Sequence, residues 1–264
     1  MNLERLFRPK SIAVYGGKWS DYVVQQCRKL GFLGEIWHVN PTRENCINST
    51  DNLPGVPDSV FLGINRDLTI KEFRFLKKKG IGGAVIFASG FNEEKDGEAF
   101  VEELDHAAGD IPYIGPNCYG FANFFDRVAM WPDQVTGKSL ERGVAFISQS
   151  GTISITVMGQ RRSLPLGYVI TVGNQQRLAA EDLIQYCADD DRVSAIGLYI
   201  EGIIDVNKFI DSVEHARTLG KPIALIKVGR SAQSQSIALT HTGALTGSDE
   251  MHDAFFERIG VARC

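Results

Sequence analysis

Short β-branched or aliphatic runs alternate with longer amphipathic stretches along almost the whole chain, and this alternation limits the fold more than any other feature. Parallel strands cannot be joined by tight hairpins, so each needs a crossover, and a helix is the crossover that packs back onto the sheet. The pattern predicts strands at Ser11–Tyr15, Glu35–Val39, Val60–Ile64, Ala84–Phe87 and Tyr113–Gly115, with helices at Tyr22–Leu30, Thr69–Lys79 and Glu93–Ala108 between them. A polar, turn-rich stretch, Trp131–Lys138, interrupts the alternation and reads as a linker. Strands are then expected at Val144–Ile147, Val169–Val172, Ala195–Ile200 and Ile223–Val228, with helices at Thr152–Arg162, Ala179–Ala188, Val206–Leu219 and Asp249–Ile259. The fold class is therefore α/β, with two domains expected over residues 1–130 and 142–264.

With 264 residues, 44% of them hydrophobic, the chain can bury two ordinary cores. Its net charge is −4 and its basic residues are scattered, which argues against a nucleic-acid surface. Five cysteines, odd in number and without a C-x-x-C pair, point to a reducing compartment and no structural zinc. No stretch approaches the roughly 18 apolar residues of a membrane span, and Met1–Lys10 lacks a signal-peptide core. The chain reads as cytoplasmic, with no metal site expected.

Ligands of open parallel sheets sit beyond the carboxyl ends of the strands, so the strand-to-helix turns are where chemistry is sought. The first turn, Gly16-Gly17-Lys18, permits close approach of a phosphate and adds a positive charge. It is not G-x-G-x-x-G, and the second strand ends in His38-Val39-Asn40-Pro41 without the acid that would bind a nicotinamide ribose. A nucleotide-like ligand other than NAD is favoured over an empty tight turn. In Gly115-Pro116-Asn117-Cys118-Tyr119-Gly120, Asn117 offers a donor and an acceptor, while Cys118 reads as an inert, partly buried thiol. Ser148-Gln149-Ser150-Gly151-Thr152 runs from a strand into a helix start, where hydroxyls either cap the helix or leave its N–H groups for an anion. Glu201 ends a strand and reads either as an imidazole-orienting carboxylate or as an ordinary exposed acid. His241, in Thr240-His241-Thr242-Gly243-Ala244, sits among small residues just before a helix. The loop suits formation and transfer of a phosphohistidine; the alternative is a glycine-rich turn carrying a surface histidine.

Taken in order, these motifs resemble the NDP-forming acyl-CoA synthetases, relatives of the succinyl-CoA synthetase α subunit. Leu6-Phe7-Arg8-Pro9-Lys10-Ser11-Ile12-Ala13-Val14, Val172-Gly173-Asn174 and Lys227-Val228-Gly229-Arg230-Ser231 fit the same pattern, so the resemblance covers essentially the whole chain. It implies a Rossmann-like CoA-binding domain followed by a flavodoxin-like domain bearing the phosphohistidine. On this resemblance His241 carries the phosphoryl group, Glu201 stabilises it, and Ser148, Ser150, Gly151 and Thr152 form the helix end that receives it. Gly16, Gly17, Lys18, Asn40, Pro41, Ile64, Asn65, Ser89, Gly90 and Asn117 are the expected CoA contacts. The first turn, with Gly17-Lys18-Trp19-Ser20, departs from the family's longer, proline-containing turn.

The resemblance implies the reaction carboxylic acid + CoA + ATP → acyl-CoA + ADP + phosphate. ATP and magnesium would be held by an ATP-grasp domain or subunit, for which nothing after Ile259-Gly260-Val261 leaves room. The expectation is therefore one portion of a larger enzyme, in an oligomer, unable to complete the reaction alone. The alternatives are a noncatalytic module sensing CoA or acyl-CoA, which would not need His241, and an NAD-dependent oxidoreductase, which the missing fingerprint disfavours.

Overall fold

The computed structural model describes residues 1–94, 96–228 and 249–264. A four-residue helix, Glu4–Phe7 (α1), precedes the first sheet, whose strands are Ser11–Gly16 (β1), Glu35–Val39 (β2), Ser59–Gly63 (β3), Gly83–Ile86 (β4) and Tyr113–Ile114 (β5). They are parallel, in the order β2-β1-β3-β4-β5. Ile12, Ala13, Val14 and Tyr15 of β1 are all buried, as in a sheet covered on both faces. Its crossovers are Lys18–Leu30 (α2), Arg66–Lys79 (α3) and Gly97–Ala108 (α4).

The second sheet contains Phe121–Asn123 (β6), Val128–Met130 (β7), Gly143–Ser148 (β8), Leu166–Thr171 (β9), Val193–Ile200 (β10), Ile223–Lys227 (β11) and Ala262–Arg263 (β12), in the order β12-β11-β10-β8-β9-β6-β7. Its helices are Gly151–Met158 (α5), Ala180–Asp189 (α6), Val206–Thr218 (α7) and Asp249–Arg258 (α8). All pairings are parallel except those of β6 with β7 and with β9. The molecule is thus two wound α/β layers, a parallel sheet and a larger mixed one.

Two departures from the sequence reading concern the junction. Residues 121–130, expected in the first domain, form a hairpin whose first strand bonds to β9, so hydrogen bonding assigns them to the second sheet. Trp131–Lys138 is not a free connector, because Trp131 and Val135 are buried and the Val135 N–H donates to Gln26 Oε1 of α2 at 3.0 Å. One apolar core runs from Val14, Val23 and Phe61 through Phe121, Met130 and Trp131 to Ile147 and Ile170. Burial of that continuous surface ties the halves together.

Helix boundaries also shifted where a local cap was overlooked. Helix α3 begins at Arg66 rather than Thr69, because the Asn65 side chain accepts the Leu68 N–H at 2.9 Å. Helix α4 begins at Gly97 rather than Glu93. The Glu93 carboxylate instead accepts from the N–H groups of Gly90 and Phe91, folding the preceding segment into turns.

Candidate functional site

Each sheet has a switch point near its middle, and the turns that follow β3, β8 and β10 there face a common cavity. In the first sheet that point lies between β1 and β3, whose ends meet at Gly16 and Gly63. In the second it lies between β8 and β10, where Tyr199 pairs with Ser148. Crossovers leave such a point in opposite directions and open a crevice beyond the strand ends. The cavity of about 850 Å³ is lined by Gly63, Ile64 and Asn65 after β3, by Phe87, Ala88, Ser89 and Gly90 after β4, and by Asn117, Cys118 and Tyr119 after β5. Gln149, Ser150, Gly151, Thr152 and Glu201 of the second half complete it, together with Trp19, Arg66, Asp67 and Glu94.

The structure therefore brings together Ile64, Asn65, Ser89, Gly90 and Asn117 with Ser150, Gly151, Thr152 and Glu201, residues widely separated in sequence. Ser150 is the N-cap of α5, its hydroxyl accepting the Ile153 N–H at 3.4 Å. Ser148 is buried and does not line the cavity. Its hydroxyl donates to the Ser150 carbonyl at 2.8 Å and accepts the Ser150 N–H at 3.0 Å, so it shapes the turn.

Gln149 was missed as a functional residue although it stands inside the quoted motif. Its side-chain oxygen accepts the N–H groups of both Glu201 and Gly202, the latter at 3.0 Å, and its own N–H donates to the Tyr199 carbonyl at 2.9 Å. Gln149 thus fixes the Glu201 backbone against the start of α5. A half-buried amide between two adjacent turns finds its partners in the tertiary structure, and periodicity carries no trace of them.

The first glycine of the first turn also answers a packing demand. Gly16 adopts φ +127°, and a Cβ there would lie 2.3 Å from the Gly63 carbonyl oxygen. Packing of β1 against β3 therefore demands glycine whatever the ligand. The Gly16 carbonyl accepts from Asn40 Nδ2 at 2.9 Å, and Asn40 Oδ1 in turn accepts from the Thr42 N–H and hydroxyl. Gly16, Gly17, Lys18, Asn40 and Pro41 do not line the shared cavity. Pro41 lines a smaller cavity at the β2 end together with Arg43, which also lines an adjoining one with His38. Arg43, also missed, reaches Asp21 with two bonds of 2.7 and 2.9 Å.

The turn 115–120 is the hinge-side wall of the cavity. Asn117, at φ +57°, donates its N–H to the Ala88 carbonyl at 2.8 Å, while Gly120 exchanges bonds with Thr171 of β9. Asn174 Nδ2 reaches Glu93 Oε1 at 2.7 Å, a second tie between the halves beside the cavity. Cys118 is buried and its thiol is pushed up to about 12, chiefly by loss of hydration. Such a thiol is inert at neutral pH, as its sequence context suggested. His241 lies outside the described residues. Glu201 lines the same cavity as Ser150, Gly151 and Thr152 at the α5 N-terminus.

Comparison with known proteins agrees with this geometry. Residues 10–123 match a CoA binding domain family, and residues 141–264 match a succinyl-CoA ligase like flavodoxin domain. The chain is 32% identical over 274 residues to the acetate–CoA ligase [ADP-forming] II subunit alpha of Pyrococcus furiosus, covering 98% of this chain and 59% of that protein. It is 30% identical over 278 residues to a trans-feruloyl-CoA synthase from an unknown prokaryotic organism, covering 98% of this chain and 39% of that one. A dinucleotide forming acetyl-coenzyme A synthetase 1 of Ca. Korarchaeum cryptofilum, solved with phosphate and ADP, superposes with a TM-score of 0.89 at 29% identity over 100% of this chain and 59% of that one. The chain thus spans roughly two to three fifths of the length of these relatives. With both domain families in order along almost its whole length, the chain belongs to the NDP-forming acyl-CoA synthetase family.

Proposed function

We propose that this chain is the CoA-binding and phosphohistidine-bearing portion of an acid–thiol ligase that converts a carboxylic acid, CoA and ATP into acyl-CoA, ADP and phosphate. The observation that supports this most directly is the shared cavity, which sets the β3, β4 and β5 turns of the CoA binding domain against the α5 N-terminus and Glu201. A reaction that joins CoA to a phosphorylated acid needs both ends in one place, which this arrangement supplies. The cavity, about 850 Å³ in volume, has room for an extended ligand such as the pantetheine arm.

In this reading the Ser150, Gly151 and Thr152 end of α5 receives the phosphoryl group carried by His241. Glu201 accepts a hydrogen bond from the imidazole and stabilises its cationic form while phosphorus is bound. The carboxylate of the acid substrate takes the phosphoryl group to give an acyl phosphate and free imidazole. The CoA thiol then attacks the acyl carbon, loses its proton, and displaces phosphate. Ile64, Asn65, Ser89, Gly90 and Asn117 orient the thiol end, whereas Gly17, Lys18 and Arg43 lie toward the nucleotide end. ATP and magnesium belong to an ATP-grasp subunit or domain, and the setting is cytoplasmic.

Incubation with such a partner and ATP labelled in the γ-phosphoryl group should place acid-labile, base-stable label on this chain. His241→Ala should abolish the label, and Glu201→Ala should lower the rate of labelling by about 10²-fold or more. Acyl-CoA synthesis that survives His241→Ala would overturn the phosphohistidine reading.

A further inference from the structure

One wall of the shared cavity is aromatic, and the reaction as set out above makes no use of it. Trp19 is 47% exposed, and its indole centroid stands 5.7 Å from the ring of Phe87. Phe87 meets Tyr119 edge-on at 5.9 Å. Tyr119 in turn packs on the first residue of α5, where a Cβ added at Gly151 would fall 2.3 Å from the Tyr119 ring. The three half-open rings form an unbroken strip from Trp19 to the α5 N-terminus, all of it lining the cavity.

Resting on the synthetase reading, we propose that this strip is the acyl subsite and that the acid carries a ring-bearing apolar substituent. The carboxyl carbon must come to the α5 end, because that is where the phosphoryl group is transferred. Whatever is attached to that carbon then lies against the residue adjoining the α5 end, which is Tyr119. An acetyl methyl would cover part of one ring and leave Phe87 and Trp19 facing water. An aryl substituent covers Tyr119 and Phe87 and reaches toward the Trp19 indole, with edge and face contacts that aromatic rings favour.

Titration calorimetry of the chain with CoA, acetyl-CoA and phenylacetyl-CoA tests this without any partner. Phenylacetyl-CoA should bind at least about tenfold more tightly than acetyl-CoA. Trp19→Ala should bring that ratio to about one, and Trp19→Phe should restore most of it. Equal affinity for the two thioesters, with CoA itself binding, would overturn the acyl subsite and leave the synthetase reading intact. A parallel loss of affinity for all three ligands in Trp19→Ala would also overturn it, since the indole would then contact the CoA moiety. Absence of binding by every CoA species would remove the synthetase reading and the subsite together.

Discussion

Gln149 illustrates how one polar side chain couples two turns that carry different chemistry. Its amide oxygen is shared by the Glu201 and Gly202 N–H groups, so the carboxylate's backbone is held by the same segment that starts α5. Removing that acceptor leaves two donors without their partner beneath the cavity. Gln149→Ala is expected to lose about 1–3 kcal/mol of unfolding free energy in urea titration. A midpoint equal to that of the parent protein would mean that the 201–202 turn holds itself. The contrast with Cys118 is informative, because a side chain at the cavity with a reactive element is there disarmed by burial.

At the scale of elements, the cavity's position follows from how helices begin. Helix α3 starts beside the cavity because Asn65 caps it, so a residue expected to contact CoA also has a structural task. Asn65→Ala should destabilise the protein by about 1 kcal/mol, whereas Asn65→Asp, which keeps the acceptor and favours the helix dipole, should cost far less. Denaturant midpoints with unchanged slopes would check this. Equal losses in the two variants would assign the effect to something other than capping. The same logic applies to α5, where Ser150 as N-cap takes the Ile153 N–H while Gly151 and Thr152 of the first turn line the cavity.

For the molecule as a whole, the two halves are held by a charged cluster together with the common core. Helix α1 lies against the β6–β7 hairpin, with the Phe7 ring edge-on to Phe121 at 4.9 Å and tilted against Tyr186 at 5.0 Å. Beside it Arg192 binds Asp190 at 2.8 Å and Asp126 at 2.9 Å, while Arg8 reaches the same two carboxylates at 3.5 and 3.4 Å. Burial opposes ionisation of Asp190, but the bonds from Arg192 and the Tyr168 hydroxyl outweigh it and hold the carboxyl down at about 2. Its folded value lies below the unfolded value near 3.9. The stabilisation is therefore complete above about pH 4 and is lost as pH falls toward 2. Asp190→Asn should be less stable at neutral pH and should show a shallower fall in Tm over that acid range. An unchanged acid slope would place the sensitivity on other carboxylates.

Periodicity alone determined that this chain is α/β and located every long strand, because a strand buried on both faces or a helix with one apolar face writes its spacing into the sequence. The local chemistry of Ser150, Gly151, Thr152 and Glu201 was also legible, since small and capping residues after apolar runs mark strand ends. Strands β6, β7 and β12 were not, being two or three residues long, with β6 and β12 paired with β9 and β11 far away in the chain. Their bonding, and the burial of Trp131 in a stretch that looked like a linker, depend on neighbours that no local window contains. The same holds for the site. Gly16, Asn40 and Ser148, expected at the site from the resemblance, also make tertiary or turn contacts that shape the backbone, which their residue types do not reveal. Only the meeting of two sheets at their switch points put Trp19, Phe87, Tyr119 and Gln149 on one cavity, because which side chains share a surface is set by packing.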